Sequence, residues 1–229
     1  MLRKTPLLSN ESYHIYNRGA HKYDVFTSED DSNRFLALLH LANSAGPVKV
    51  RDILATQKYK GRFSVEIFSE KADKCLVDVL AYALLPNHFH LVLKQRTEDG
   101  ITIFMRKLTV SYSMYFNTKY GHSGVLFQGR FKSSHLDTDP YFKWIFPYVH
   151  LNPISLVEPQ WQEKGVSDTA HAREFLRNYP YSSYYDYYNG ERPQRAILAY
   201  DEAAGFLDKE RDLQDMFSAY ARGRVLYSA

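Results

Sequence analysis

Apolar residues recur along this chain with two periods. The strand-like period comes first, in Tyr13-His14-Ile15-Tyr16-Asn17-Arg18-Gly19, a short segment ending at a glycine turn. It returns where Phe63, Val65 and Ile67 alternate with Ser64 and Glu66, as on a half-buried strand. Leu76 to Leu84 is apolar and β-compatible, Pro86-Asn87 turns it, and His88 to Lys94 is its hairpin partner. The helical period appears at Phe35, Leu38, Leu39 and Ala42, behind Ser28 and Asp31 at capping-box spacing. Asn43 to Pro47 stops that helix. A second stripe, Ile101, Phe104, Leu108, Tyr112 and Tyr115, runs to Tyr120-Gly121 with Arg106, Lys107 and Lys119 on its outer face. Gly124 to Lys132 is a loop leading into a strand. Asp139-Pro140 then opens a third helix, carrying Tyr141, Trp144, Ile145 and Tyr148 until Asn152-Pro153.

This order predicts an α+β sandwich with a central antiparallel sheet and helices packed on it. Residues 48–62 are polar and basic, read as a helix-turn or an excursion. The texture changes after Pro159: 160–173 is polar, Tyr179 to Tyr188 is tyrosine-rich, and Asp201 to Arg222 has the pattern of a charged amphipathic helix. The expected division is a catalytic-type domain over 1–158 and a carboxy-terminal extension over 159–229.

Composition narrows the class. A chain of 229 residues can bury one sizeable core. No apolar run approaches the ~20 residues of a membrane span, and the charged amino terminus has no apolar segment behind it, so the expected location is the cytoplasm. A single cysteine, Cys75, excludes an internal disulfide and a cysteine-based zinc site. Any metal would have to be held by His, Asn, Gln or carboxylates. The net charge of +3 is compatible with a polyanionic partner. With 19 Tyr and 14 Phe interleaved with cations, single-stranded nucleic acid is a fitting partner, although most of those rings belong to the core.

The candidate chemistry centres on His88-Phe89-His90. Strand residues two apart share a face, so both imidazoles are offered to one divalent metal ion while Phe89 enters the opposite layer. In a chain of nine histidines the triplet alone carries little weight. Tyr148 and Asn152 add to it, because residues four apart on a helix look the same way. His150, between them, would face away. If that helix packs over the strand of His88 and His90, the two imidazoles and the Asn152 oxygen could hold Mg²⁺ or Mn²⁺ and polarise a phosphate. The Tyr148 oxygen would attack the phosphorus and become linked to the 5′ side of the cut strand. A free phenol, with a pKa of about 10, is a poor nucleophile at neutral pH, so it must lose its proton to a base or water as it attacks. Tyr112 and Tyr115 are rivals for that role but fit a buried stripe. Arg18, Arg130 and Lys132 sit in or beside loops and are candidate phosphate contacts, which position a strand without reading its sequence. Tyr181, Tyr184, Tyr185, Tyr187 and Tyr188 are candidate base-stacking rings, with packing the expected role for more than half.

Leu85-Pro86-Asn87-His88-Phe89-His90-Leu91 resembles the histidine–hydrophobe–histidine motif of the HUH single-tyrosine transposases, and the chain is similar above all to their REP-associated tyrosine transposase branch. Tyr13 to Gly19 is similar to that family's first strand. Tyr112 to Asn117 and Gly124 to Lys132 resemble its central helix and following loop. Tyr148 to Pro153 resembles its nucleophile helix, and Tyr181-Ser182-Ser183-Tyr184 its downstream turn. The likeness spans about residues 12 to 188. It implies a ferredoxin-like or RRM-like sandwich and a metal-dependent transposase that nicks and rejoins single-stranded DNA. It also implies Tyr148 as nucleophile and His88 and His90 as ligands of Mg²⁺ or Mn²⁺. Asn152 stands where many relatives have Gln as third ligand. The implied substrate is hairpin-forming DNA, and the implied assembly a monomer or a homodimer that exchanges the nucleophile helix. A non-catalytic hairpin-binding module and a hydrolytic metal-dependent nuclease remain as rival readings of the same residues.

Overall fold

In the computed structural model, residues 6–46, 65–70, 74–204 and 217–218 are described. Four strands, β1 (Ser12–Arg18), β2 (Val77–Leu85), β3 (His88–Gln95) and β4 (Lys132–His135), form one sheet in the order β2-β3-β1-β4, with every neighbouring pair antiparallel. Helix α1 (Glu29–Leu41) connects β1 to β2, and α2 (Gly100–Tyr120) connects β3 to β4. This is the split βαββαβ arrangement, an α+β sandwich of the expected kind. A third helix, α3 (Asp139–Leu151), follows β4.

The two sides of the sheet are covered differently. Alternation along β1 and β3 sends Tyr13, Ile15, Phe89, Leu91 and Leu93 into one layer, where Phe35 and Leu38 of α1 and Phe104, Leu108 and Tyr112 of α2 seal them. On the other side Val92, Leu80, Ala81, Ala83 and Leu85 meet Ile145, Phe146 and Val149 of α3. Both faces of β2 are therefore buried along its whole length. A bulge between Val79 and Ala81 interrupts its pairing with β3.

Local chemistry explains the helix ends. Ser28 Oγ accepts from the Asp31 amide, and the Asp31 carboxylate accepts in turn from the Ser28 amide, so the expected capping box closes. Thr138 caps α3 through Tyr141, with Pro140 in the first turn where no ladder donor is required.

The segment after Pro159 packs back onto the outer edge of β2. Leu84 N donates to Tyr181 O at 2.9 Å, Ser183 N donates to Tyr82 O at 2.9 Å, and Ala199 N donates to Val79 O at 2.9 Å. Arg192 pairs with buried Asp186 and holds this edge cover in place. The backbone groups of an edge strand are thereby satisfied within the chain.

One local expectation needs correction. Val65–Ser69 is a 3-10 helix, not a strand, burying Ile67 and Phe68 one after the other. Among the described residues no strand pairs with it, and a strand-like alternation without a partner forms no strand. Of the helix expected over 201–222, the described residues, 201–204 and 217–218, are helical; the rest of it, the excursion at 48–62 and Phe63 lie outside the described residues. No helix among the described residues is long and apolar enough to cross a membrane.

Candidate functional site

The site forms on the α3 side of the sheet, beyond the apolar contact with Val92. Residues 88, 90 and 92 of β3 share this face, and Val92 packs in the α3 layer while Phe89 is fully buried in the opposite one. The hairpin that presents His88 is fixed at its tip. Gly19 N donates to Asn87 O at 2.8 Å, and a Cβ on Gly19 would lie 2.1 Å from the Tyr23 carbonyl oxygen, so only glycine passes here. This join places Arg18 opposite His88.

The two imidazoles are held by their Nδ1 atoms. His88 Nδ1 lies 2.6 Å from Asn87 Oδ1, and His90 Nδ1 lies 2.8 Å from Nε2 of His14 on β1. Each Nε2 has no hydrogen-bond partner among the described residues. Burial, reinforced by Arg18, pushes His88 down to about 4. Burial, with His14, His88 and Arg18 adding to it, holds His90 well below the ordinary histidine range. Both rings are therefore neutral near pH 7, the form in which an imidazole can ligate a metal. The ring centroids of His88 and His90 are 5.1 Å apart.

Helix α3 brings Tyr148 to this pair. Its half-buried ring stands edge-on to His90 at 5.8 Å and to His14 at 6.1 Å, between centroids. Pro147 directly precedes it, so the Lys143 carbonyl loses its ladder donor one residue before the phenol. Trp144, one turn back, flanks the Tyr148 ring at 5.6 Å.

Asn152 is buried at the end of α3, where its side-chain nitrogen donates to the Tyr148 carbonyl at 3.2 Å. No described contact joins it to either histidine. Nor do the described residues contain a group of three or more His, Cys, Asp or Glu side chains arranged to hold a metal ion. The donor set still suits a divalent ion in part: two neutral imidazoles, each anchored by Nδ1, leave further positions to oxygen donors such as an amide, a phosphate or water. His150 points to the other side of α3, as expected, with Nε2 at 2.7 Å from Ser183 Oγ.

Two residues of this face were not singled out in the sequence. His14 is one. The other is Tyr16, whose ring stacks against His14 at 5.0 Å and His90 at 5.9 Å. Burial, then the neighbouring Tyr148 and Tyr141, raises the Tyr16 phenol above its ordinary range. Lys132, cross-strand partner of Tyr16, carries its ammonium 5.7 Å from the Tyr16 ring centre. Arg18, exposed, completes a line of cationic and aromatic groups along this face.

The remaining candidates lie elsewhere. Exposed Arg130 borders a groove of about 1040 Å³ against α2, with Asn17 and Arg106, on the side of the sheet away from the histidines. Tyr112 donates to the Val25 carbonyl at 2.5 Å and Tyr115 to Asp31 at 3.0 Å, both within the α1–α2 layer. Tyr184 and Tyr187 are buried, and Tyr187 donates to the Leu80 carbonyl. Packing thus accounts for both of these rings.

Comparison with known proteins supplies a family. No curated protein matches the chain significantly. Among solved structures, the chain is similar to a REP-associated tyrosine transposase bound to a REP hairpin, with 11% identity, a TM-score of 0.49, and coverage of 85% of this chain and 90% of the other. It is also similar to a bacterial tRNA(His) guanylyltransferase-like protein in complex with ATP, with 12% identity, a TM-score of 0.38, and coverage of 76% and 74%. The sequence pattern described as "Transposase IS200 like" matches residues 8–152, well over half of the chain, and that span runs from the strand of His14 through the hairpin of His88 and His90 to Asn152. The chain belongs to the IS200-like transposase family.

Proposed function

We propose that this transposase, a member of the REP-associated branch, cleaves and rejoins single-stranded, hairpin-associated DNA through a 5′-phosphotyrosine on Tyr148. The observation that carries the reading is the Tyr148 ring standing 5.8 Å from His90 across the gap between α3 and the sheet. Among the described residues, no other tyrosine combines that neighbour with a position on α3 facing the histidine pair.

The chain's own groups account for the reaction as follows. Lys132 and Arg18 draw the sugar-phosphate backbone along the sheet face, and the Tyr16 ring offers a stacking surface for a base. The Tyr148 oxygen attacks the phosphorus, losing its proton as the new O–P bond forms. The bond from phosphorus to the 3′ oxygen breaks, and that oxygen leaves as a 3′-OH after taking up a proton. Attack by a 3′-OH on the phosphotyrosine reverses the step and rejoins strands. His88 and His90, with Asn152 as a candidate third donor, would hold Mg²⁺ or Mn²⁺, which when bound supplies polarisation of the phosphate and stabilises charge on its oxygens. The working assembly is a monomer or homodimer acting on DNA in the cytoplasm.

The test is covalent trapping. Incubation with a hairpin oligonucleotide and Mn²⁺, followed by a denaturing gel, should show a protein–DNA adduct that disappears in Tyr148→Phe. Cleavage persisting in Tyr148→Phe would point to hydrolysis or to another tyrosine. Hairpin binding with neither adduct nor cleavage would leave a binding module.

A further inference from the structure

We propose that His14 is a positioning residue that fixes His90 in its Nδ1–H tautomer and so presents the His90 Nε2 lone pair to a metal ion. The proposal rests on the reading of His90 as a ligand. It starts from the 2.8 Å contact between His14 Nε2 and His90 Nδ1, which joins the two central strands of the sheet. One proton lies between these nitrogens, and which ring owns it decides what His90 can do.

If His14 donates from Nε2, the proton of His90 sits on its own Nε2, and no lone pair remains there for a metal. If His90 donates from Nδ1, its Nε2 is free to ligate, and the proton of His14 must sit on Nδ1. That Nδ1 is buried without a hydrogen-bond partner among the described residues, in a side chain only 1% exposed. A buried donor left unpaired is disfavoured more than a buried acceptor left unpaired. His90 Nε2, unlike His14 Nδ1, is not sealed from water, so a proton there can be met by solvent; the metal-free pair therefore favours the first arrangement, and a metal at His90 Nε2 favours the second. Binding moves the proton of His90 from Nε2 to Nδ1 and that of His14 from Nε2 to Nδ1. The two rings change tautomer together, with no net gain or loss of protons.

The ring of His14 is held among His90, Tyr16 and Tyr148. It lies parallel to His90, with 11° between the planes and 5.1 Å between centroids, and Tyr16 covers its other neighbouring surface. His88, the companion ligand, has a different partner, the Asn87 side chain, which can accept from Nδ1–H whatever occupies Nε2. Only His90 is coupled to a group with a tautomer of its own.

The experiment uses the full chain, its His14→Phe and His14→Gln variants, and two readouts. Free Mn²⁺ is titrated by electron paramagnetic resonance. Ring ¹⁵N shifts are read by NMR with and without Mg²⁺. Phe keeps the ring and removes the acceptor; Gln keeps an acceptor. His14→Phe should weaken Mn²⁺ binding by about 10- to 100-fold, the usual effect of losing a ligand's outer partner, and His14→Gln should recover most of it. In the wild type, Mg²⁺ should convert His14 Nε2 from a protonated to an unprotonated ¹⁵N shift. A folded His14→Phe with unchanged Mn²⁺ affinity overturns the proposal. If His14→Phe does not fold, a wild-type His90 that keeps its proton on Nε2 with Mg²⁺ bound overturns it equally. If the wild type takes up no Mn²⁺, the ligand reading of His90 falls. The hydrogen bond is then judged alone, and His90 shifts unmoved by His14→Gln refute it.

Discussion

The two faces of the central sheet are built from the same strands and solve opposite problems. On the α1–α2 face, Tyr13, Ile15, Phe89, Leu91 and Leu93 meet a continuous apolar layer, and the buried carboxylate of Asp31 is paired by Lys119, Tyr115, Tyr120 and the α1 cap. On the α3 face, the same strands present His14, Tyr16, Arg18, His88 and His90, and polar atoms remain unpaired, among them Nδ1 of His14 and of His150. Alternation makes this possible: one tripeptide, His88-Phe89-His90, contributes its ligand candidates to one face and its packing to the other. Stability is concentrated on the first face and chemistry on the second. Substitutions should separate them.

The largest separation is expected from Tyr148→Phe. Adduct formation should fall at least about 10³-fold, as when a nucleophile is removed, while the thermal midpoint stays close to wild type because the ring contacts to His90 and Trp144 are kept. Phe89→Ala should do the reverse. Its ring is fully buried against Phe35 and Phe127, and its loss should cost about 3–5 kcal/mol in urea unfolding. Any loss of cleavage should follow the folded fraction.

The next effect is on pH dependence. Burial holds His14 and His88 at about 4 and His150 at about 3, so the unfolded chain, with histidines near 6.5, binds more protons than the folded one below that pH. Stability should be at its full value above about pH 6.5 and decline progressively as pH falls toward 4. Urea midpoints across that range check it, and His150→Phe, on the far side of α3, should flatten the decline without touching the His88–His90 pair. The smallest effect is expected from Lys132→Gln. Binding to single-stranded DNA should weaken to a similar degree across sequences, and the dependence of log K on log salt should lose about one unit of slope. A sequence-dependent loss would mean that Lys132 reads bases.

How far the sequence exposed this arrangement depends on the distance over which each signal acts. The capping box of α1, the Pro86-Asn87 hairpin and the start of α3 at Asp139-Pro140 are written in neighbouring residues and were legible. So were the same-face placement of His88 with His90 and the position of Tyr148 in α3. His14 and Tyr16 were not. Their parity along β1 is visible, but their role depends on β1 pairing with β3 in a register that sets Tyr16 beside His90, some 74 residues away in sequence. A strand's partner is chosen by the whole sheet. The alternation at Val65 to Ile67 misled for the same reason, since period two describes a strand only when a ladder is available. Asn152 shows a third limit: its helical phase with Tyr148 was readable, but the hydrogen bond its side chain makes is local, to the carbonyl one turn back.

The bulge in β2 bears on how this sheet could tolerate insertions and deletions. Val79 belongs to the α1–α2 layer and Ala81 to the α3 layer, with Leu80 also in the α3 layer between them. Leu80 is thus a supernumerary residue in the alternation. Removing it would leave Val77 and Val79 facing one way and Ala81, Ala83 and Leu85 the other, as they do now. The loss would be its own packing and the carbonyl that receives Tyr187. Removing a residue nearer the hairpin would instead turn Tyr82 or Leu84 toward the histidines, in place of Ala83 and Leu85, which pair across from His90 and His88. At the Leu80-Ala81 bulge, the chain can lose a residue and keep small or aliphatic neighbours beside its two imidazoles.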